Sequence, residues 1–574
     1  MTHRNRRTIP TICATAGLLA LMSLCAACDS GQAATPVWTA DIAGGDYAVG
    51  VFGEDSTNQG DTVPDALGSC VAADGDFNGD GYADLYVGAY GADGPQNLRL
   101  QAGEAYVIFG SSEYESEWDV AGDAGPRPDI RIYGEETGVG SAVFAPGDTM
   151  AEVIATGDLD GDGYDDILAA APVADGPGNQ RPETGAVYVF FGRSAEDWES
   201  LRPEPDAPIV LDAAGSVGLP PDVVIHGEEE LDLLGCALAT GDMDGDGRDD
   251  LLASACYTYG LENARPGAGT VYLFFGRTRE EWEKTPVIDL AVEPEKADVV
   301  FEGADLGDHL GSALASNGDV NGDGLDDFVL GAQHGDGAGN SLQDAGEAYM
   351  FFGRTQHALR ALTPVDLAVT SADSIFYGAD VGDTLTALLG LWTADVTGDG
   401  LADLIIGAPG GAGQANDKAD AGKVCVILGR QSWESVIDLA AVPADATVYG
   451  AEAGDRCGYT VSAGDVNGDG TADIVIGACA ADGPGNGRVE GSGEAYVIYG
   501  RIFAANEVFD LAVSERAQVV ILGEEAPDQL GYAVAAGDFN GDGLHDVLVG
   551  APSAHGPQNG RAFAGEAYLV LGRR

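Results

Sequence analysis

The chain has 574 residues, with 27 Lys and Arg against 94 Asp and Glu, a formal net charge of -67 and a hydrophobic fraction of 45%. This charge argues against nucleic acid or an anionic membrane surface as partner, since both need basic patches, and the apolar fraction argues against disorder over most of the length. Cations and basic partners stay open. In chain order, Arg4, Arg6 and Arg7 come first, then an apolar stretch from Ile12 through Leu24, then the small residues of "CAACDS". That is the layout of a secretory signal, and it is too short for a stable membrane span.

The segment resembles the bacterial lipoprotein signal, in which the residue after cleavage is a lipid-bearing cysteine. Cys28 is the match, although Cys25 stands where that family prefers leucine and Leu24 lies one position further back. The resemblance implies a signal over residues 1–27, a tether over 28–46 and a membrane contact made only through lipid at Cys28; plain secretion is the other reading. No other segment has the length and polarity to cross a bilayer. Either route exports the body, to the periplasm, the cell surface or the medium, into an oxidising and calcium-containing exterior.

From residue 76 onward one acidic loop recurs: "DFNGDGYAD" at 76, "DLDGDGYDD" at 158, "DMDGDGRDD" at 242, "DVNGDGLDD" at 319, "DVTGDGLAD" at 395, "DVNGDGTAD" at 465 and "DFNGDGLHD" at 538. The copies lie 70 to 84 residues apart, a period that means stacked or circular units. Each unit reads as four short β-strands. In the third, "GCALATGD" precedes the loop, "DLLASAC" follows it, and "GTVYLFFGR" and "ADVVFEGAD" come after longer connections. Helical periodicity is sparse, confined to pieces such as "SAEDWES" and "TREEWEK".

A segment of the fourth-strand type, "AVGVFGED", stands before the first loop, and the chain stops at a third-type strand, "GEAYLVLGRR". A ring closed by donating that N-terminal strand to the last unit explains both ends; a linear solenoid does not. The expectation is an all-β, seven-bladed β-propeller of four-stranded antiparallel blades.

These residues resemble the FG-GAP repeat family, best known from the seven-bladed propellers of integrin α-subunit heads. The resemblance covers residues 47–574 and rests on the acidic loop together with the in-phase turns at Ala171-Pro172, Ala408-Pro409 and Ala551-Pro552. Tyr90, Cys256, Gln333 and Cys479 stand where the other blades would put that proline.

A hard divalent cation needs about six to eight oxygens at roughly 2.3 to 2.6 Å. Positions 1, 3, 5 and 9 of each loop supply side-chain oxygen and position 7 a carbonyl, which makes up to seven calcium sites. Their residues are Asp76, Asn78, Asp80, Tyr82 and Asp84; Asp158, Asp160, Asp162, Tyr164 and Asp166; Asp242, Asp244, Asp246, Arg248 and Asp250; and Asp319, Asn321, Asp323, Leu325 and Asp327. The remaining three are Asp395, Thr397, Asp399, Leu401 and Asp403; Asp465, Asn467, Asp469, Thr471 and Asp473; and Asp538, Asn540, Asp542, Leu544 and Asp546. An EF-hand would place a bidentate glutamate at position 12, where these loops carry Val87, Ala169, Ala253, Leu330, Ile406, Ile476 and Val549. The ninth-position aspartate therefore completes the set, as in the integrin-type loop. Plain Asp-Gly turns on a solvated acidic surface are the bland alternative. They do not account for oxygen at four phased positions seven times over.

Cys236 and Cys256 flank the third loop and Cys457 and Cys479 the sixth, so an intrablade disulfide is expected for each pair, against free buried thiols. His309 and His334 are the histidines that could share a face of one blade; ordinary surface histidines are the alternative. No G-x-S-x-G, HExxH or phosphate-cradling loop occurs. The integrin resemblance implies a binding or adhesion module whose protein or glycan ligand docks on the face opposite the calcium loops. Two further readings stay open: a passive surface scaffold, and a propeller hydrolase or lyase acting on polysaccharide or phospholipid.

Overall fold

A computed structural model describes residues 38–574 apart from 55–63, 122–125, 136–146, 205–206, 261–262, 388, 484–490, 514–516 and 557–559. The signal segment and Cys28 lie outside the described residues.

The second strand of every blade, for example Asp84–Ala89, Asp250–Ala255 and Asp403–Ala408, is buried along its whole length. A strand covered on both faces is apolar throughout and does not alternate, and here the two covers are the neighbouring blades. Valine, isoleucine and leucine at successive positions form a strand because their branched side chains fit a pleated, packed surface. Each second strand pairs antiparallel with a first and a third, as Leu234–Gly241 and Thr270–Phe274 flank Asp250–Ala255. The fourth strand, Val299–Glu302 in this blade, adds antiparallel to the third.

The blades are five-stranded, which corrects the expectation of four. A short fifth strand from the following blade's third-to-fourth connection runs parallel along the fourth: Ile209–Asp212 on Ile130–Tyr133, Val287–Asp289 on Val223–His226, Val436–Asp438 on Ser374–Tyr377. The reason is edge chemistry. A four-stranded blade would leave the outer N–H and C=O groups of its fourth strand unpaired, and the added segment covers them. Trp38–Asp41 plays this part for the sixth blade, pairing parallel with Val519–Leu522, so the tether expected over 28–46 contributes a strand at its C-terminal end.

Closure is as expected. Val49–Phe52 pairs antiparallel with Glu566–Val570 and completes the last blade, with Glu117–Asp119 outside it. Val49, Val51, Leu548 and Leu569 of that blade pack against Leu85, Val87 and Tyr106 of the first, which fills the closing seam. The glycine before each third strand is required by the same interlock: a Cβ at Gly565 would collide with the backbone of Leu67, where the next blade's lead-in crosses.

Candidate metal centre

Each acidic loop joins a first strand to a second, so all seven lie at one end of the blades. The first aspartate winds its loop by accepting backbone N–H groups. Asp76 Oδ1 takes those of Gly79 and Asp80 (2.7 and 3.1 Å) and Oδ2 that of Gly81 (2.9 Å). The position-6 N–H bond recurs in all seven loops at 2.7 to 3.0 Å. Glycine is needed there because φ is +81° to +90°.

The ninth aspartate is at most 1% exposed in every loop. One of its oxygens accepts the N–H of the glycine after the third strand, as Asp250 Oδ1 does from Gly276 (2.9 Å), and the other that of loop position 2, as Asp250 Oδ2 does from Met243 (3.1 Å). Each carboxylate oxygen keeps lone-pair capacity for a cation. In loop three the oxygens of Asp242, Asp244 and Asp250 lie within 4.8 Å of one another, and in loop two those of Asp158, Asp160 and Asp162 do so.

These carboxylates suit a cation. Asp244 Oδ2 is buried without a hydrogen-bond partner, an arrangement that costs free energy unless something positive meets it. Burial, joined by the neighbouring loop carboxylates, pushes Asp250 up to about 9 and Asp327, Asp403, Asp473 and Asp546 up to about 7. Asp84 and Asp166 are also raised, by burial first.

The sites are not identical. Asn78 and Asn540 accept from the N–H of Asp80 and Asp542, whereas Asn321 and Asn467 turn Nδ2 toward Asp327 and Asp473. Thr397 directs its hydroxyl to Asp395 (3.4 Å). In loop two Arg279, from the next blade, places its guanidinium 2.6 Å from Asp160 and 3.0 Å from Asp162.

Several residues that fix this rim escaped the sequence reading. Asp165, Asp249 and Asp326, at position 8, accept the first N–H of the preceding loop at 2.7 to 3.1 Å. The carbonyl of Phe77 receives the Trp198 indole (2.8 Å) and the Arg193 N–H (3.1 Å) of the next blade. At the opposite end a buried aspartate precedes each first strand: Asp65, Asp148, Asp232, Asp308, Asp383, Asp455 and Asp528. The signal was an aspartate 10 to 12 residues before each acidic loop.

Cys236 and Cys256 form the expected disulfide, with Cα atoms 6.1 Å apart. The expected Cys457–Cys479 bridge does not form; both are free and buried. Tyr459 occupies the position equivalent to Cys236, while Cys457 lies two residues earlier, where its N–H bonds Ala421 of the preceding blade. The rings of His309 and His334 do meet, with centroids 5.1 Å apart, and His334 Nδ1 lies 3.2 Å from Asp344. Burial and the His334 charge lower His309 to about 4.

A family model described as FG-GAP repeat matches residues 68–108, 150–190, 235–274, 312–350, 392–427, 458–498 and 530–570. Each match spans the first three strands of one blade. The chain is 30% identical over 231 residues to phosphatidylinositol-glycan-specific phospholipase D of Rattus norvegicus, covering 40% of this chain and 23% of that protein. Integrin alpha pat-2 of Caenorhabditis elegans is 30% identical over 185 residues (32% and 13%). Integrin alpha-IIb of Mus musculus is 31% identical over 189 residues (32% and 16%). The chain thus spans less than a quarter of the length of these relatives. Among the described residues no helix is long and apolar enough to cross a membrane.

Proposed function

The chain belongs to the FG-GAP repeat family, with an integrin-α-like propeller, and from that premise we propose that it is a calcium-stabilised binding or adhesion module of the cell exterior. The observation that carries this reading is the repeated acidic loop: in all seven the first aspartate accepts the position-6 N–H, and in loops two and three three carboxylates converge within 4.8 Å. Calcium is the cation of this reading, because the ligands are hard oxygens. It locks each first strand to its second, so metal binding appears as stability. The opposite face is then free to take a protein or glycan ligand, through the turns that carry "GEEELD", "GADLGD" and "GAEAGD". Lipid at Cys28 tethers the propeller to the membrane, and the intact mass of the mature N-terminus tests that point.

The test of function is a glycan, matrix and whole-cell array, probed with the propeller in calcium and again in chelator. Saturable binding in calcium that is lost in chelator supports the module, and a blank array supports the passive scaffold.

The phospholipase relatives favour a second reading, in which the propeller serves hydrolysis of a glycosylated phospholipid or a polysaccharide. Release of a lipid-anchored reporter by wild type but not by a His309→Ala variant would support it.

A further inference from the structure

The buried aspartate before each first strand meets different surroundings in different blades. In blade five Lys423, the first residue of the third strand, places Nζ 2.5 Å from Asp383 Oδ2, both groups being buried. Among the described residues blade two has no such ion pair. Its backbone repeats blade five closely: Thr149 and Thr384 share φ of 51° and 52°, Met150 N–H bonds Ala102 as Leu385 N–H bonds Ala345, and Ala186 pairs with Ala171 as Lys423 pairs with Ala408. Where blade five carries an ammonium, blade two therefore carries the methyl group of Ala186.

Asp148, the counterpart of Asp383, is 1% exposed, and neither carboxylate oxygen has a hydrogen-bond partner. The charges acting on it are those of Glu135 and Asp175, both negative. Tyr188 donates to Glu135 (3.0 Å), and Asp175 accepts the Glu183 N–H (3.0 Å). The guanidinium of Arg181, on the same loop as Asp175, is directed to Asp289 (2.6 Å). A buried carboxylate with two anionic neighbours and no donor is costly unless a positive charge joins it.

We propose that blade two holds a further calcium site on the face opposite the acidic loops, seated beside Asp148 in the place that the Lys423 ammonium takes in blade five, with Asp175 and Glu135 as the supporting carboxylates. Carboxylate oxygens are the ligands a hard divalent ion takes.

The experiment counts calcium ions on the full chain by native mass spectrometry, for wild type, Asp148→Asn and Ala186→Lys, and melts each in chelator. Both variants are expected to carry one ion fewer than wild type, and Ala186→Lys to melt higher than wild type in chelator, because the new ammonium neutralises Asp148 without metal. Equal ion counts in wild type and Asp148→Asn would overturn the proposal, as would an Ala186→Lys melt in chelator below that of wild type. Should Ala186→Lys fail to fold, Asp148→Asn decides alone. The difference of one ion stands whether or not the seven loops take calcium, so the two assignments succeed or fail separately.

Discussion

Replacing Asp250 by asparagine separates what the ninth loop position does for the backbone from what it does for the ion. Asp250 is 0% exposed and accepts two buried N–H groups, from Gly276 and Met243. Asparagine keeps one acceptor and turns an amide N–H₂ toward the other, so one buried N–H loses its partner at a cost of about 1 to 3 kcal/mol. In chelator that loss is offset, because burial, joined by Asp244, Asp242 and Asp246, disfavours the charged carboxylate and a neutral amide has no such penalty; the net change is expected to fall within about 1 kcal/mol. In calcium a second loss appears. A site at a hundredfold excess over its Kd contributes about 2.7 kcal/mol to the folded state, and without Asp250 most of that goes. Thermal melts of wild type and variant, each with calcium and with chelator, form a four-cornered cycle, and the account expects a markedly larger gap in calcium. Equal gaps in the two conditions would show that Asp250 serves the backbone alone.

Three further substitutions test the frame. Replacing Cys236 and Cys256 by serine opens a link with a sequence separation of 20; loop-closure entropy predicts a loss of about 3 kcal/mol, read as a drop in melting temperature that disappears when both proteins are reduced. Cys70, Cys425 and Cys479, raised by burial to about 12, 11 and 12, should resist alkylation in the native state at pH 8 and react on unfolding. Lys423→Met strands the carboxylate of Asp383 and should cost about 3 to 5 kcal/mol in denaturant titrations. Glu347, pushed by burial from 4.5 up to about 7, binds its proton more tightly folded than unfolded. The folded state holds the extra proton between about pH 4.5 and 7, so its contribution, of the order of 3 kcal/mol, is full below that window and lost as pH rises through it. Glu347→Gln should flatten the decline, and an unchanged slope would contradict the assignment.

The acidic loops were legible because they are local: one backbone turn, one glycine with positive φ and four oxygen positions lie within nine residues, and the phase repeats. Closure was legible from the spare strand at Val49–Phe52, because the end of a ring leaves a mark on the order of elements. The fifth strand was not. Segments such as Val287–Asp289 and Val436–Asp438 are only 3 residues long, too short to show a period, and they pair with a different blade from the one that encodes them. The sulfur pairs show the same limit. Cys457 and Cys479 flank their loop as Cys236 and Cys256 do but two residues out of register in the sequence, and that offset binds Cys457 to the preceding blade. Long-range polar partners such as Trp198 with Phe77, or Lys423 with Asp383, depend on which blades become neighbours, and no local pattern encodes that.

Crystals grown in calcium and measured at a wavelength where calcium scatters anomalously test directly whether cations occupy the rim formed by the seven acidic loops. A peak is expected within each loop, in contact with the side chains at positions 1, 3, 5 and 9. Peaks absent from the loops, with water alone among those carboxylates, would contradict it.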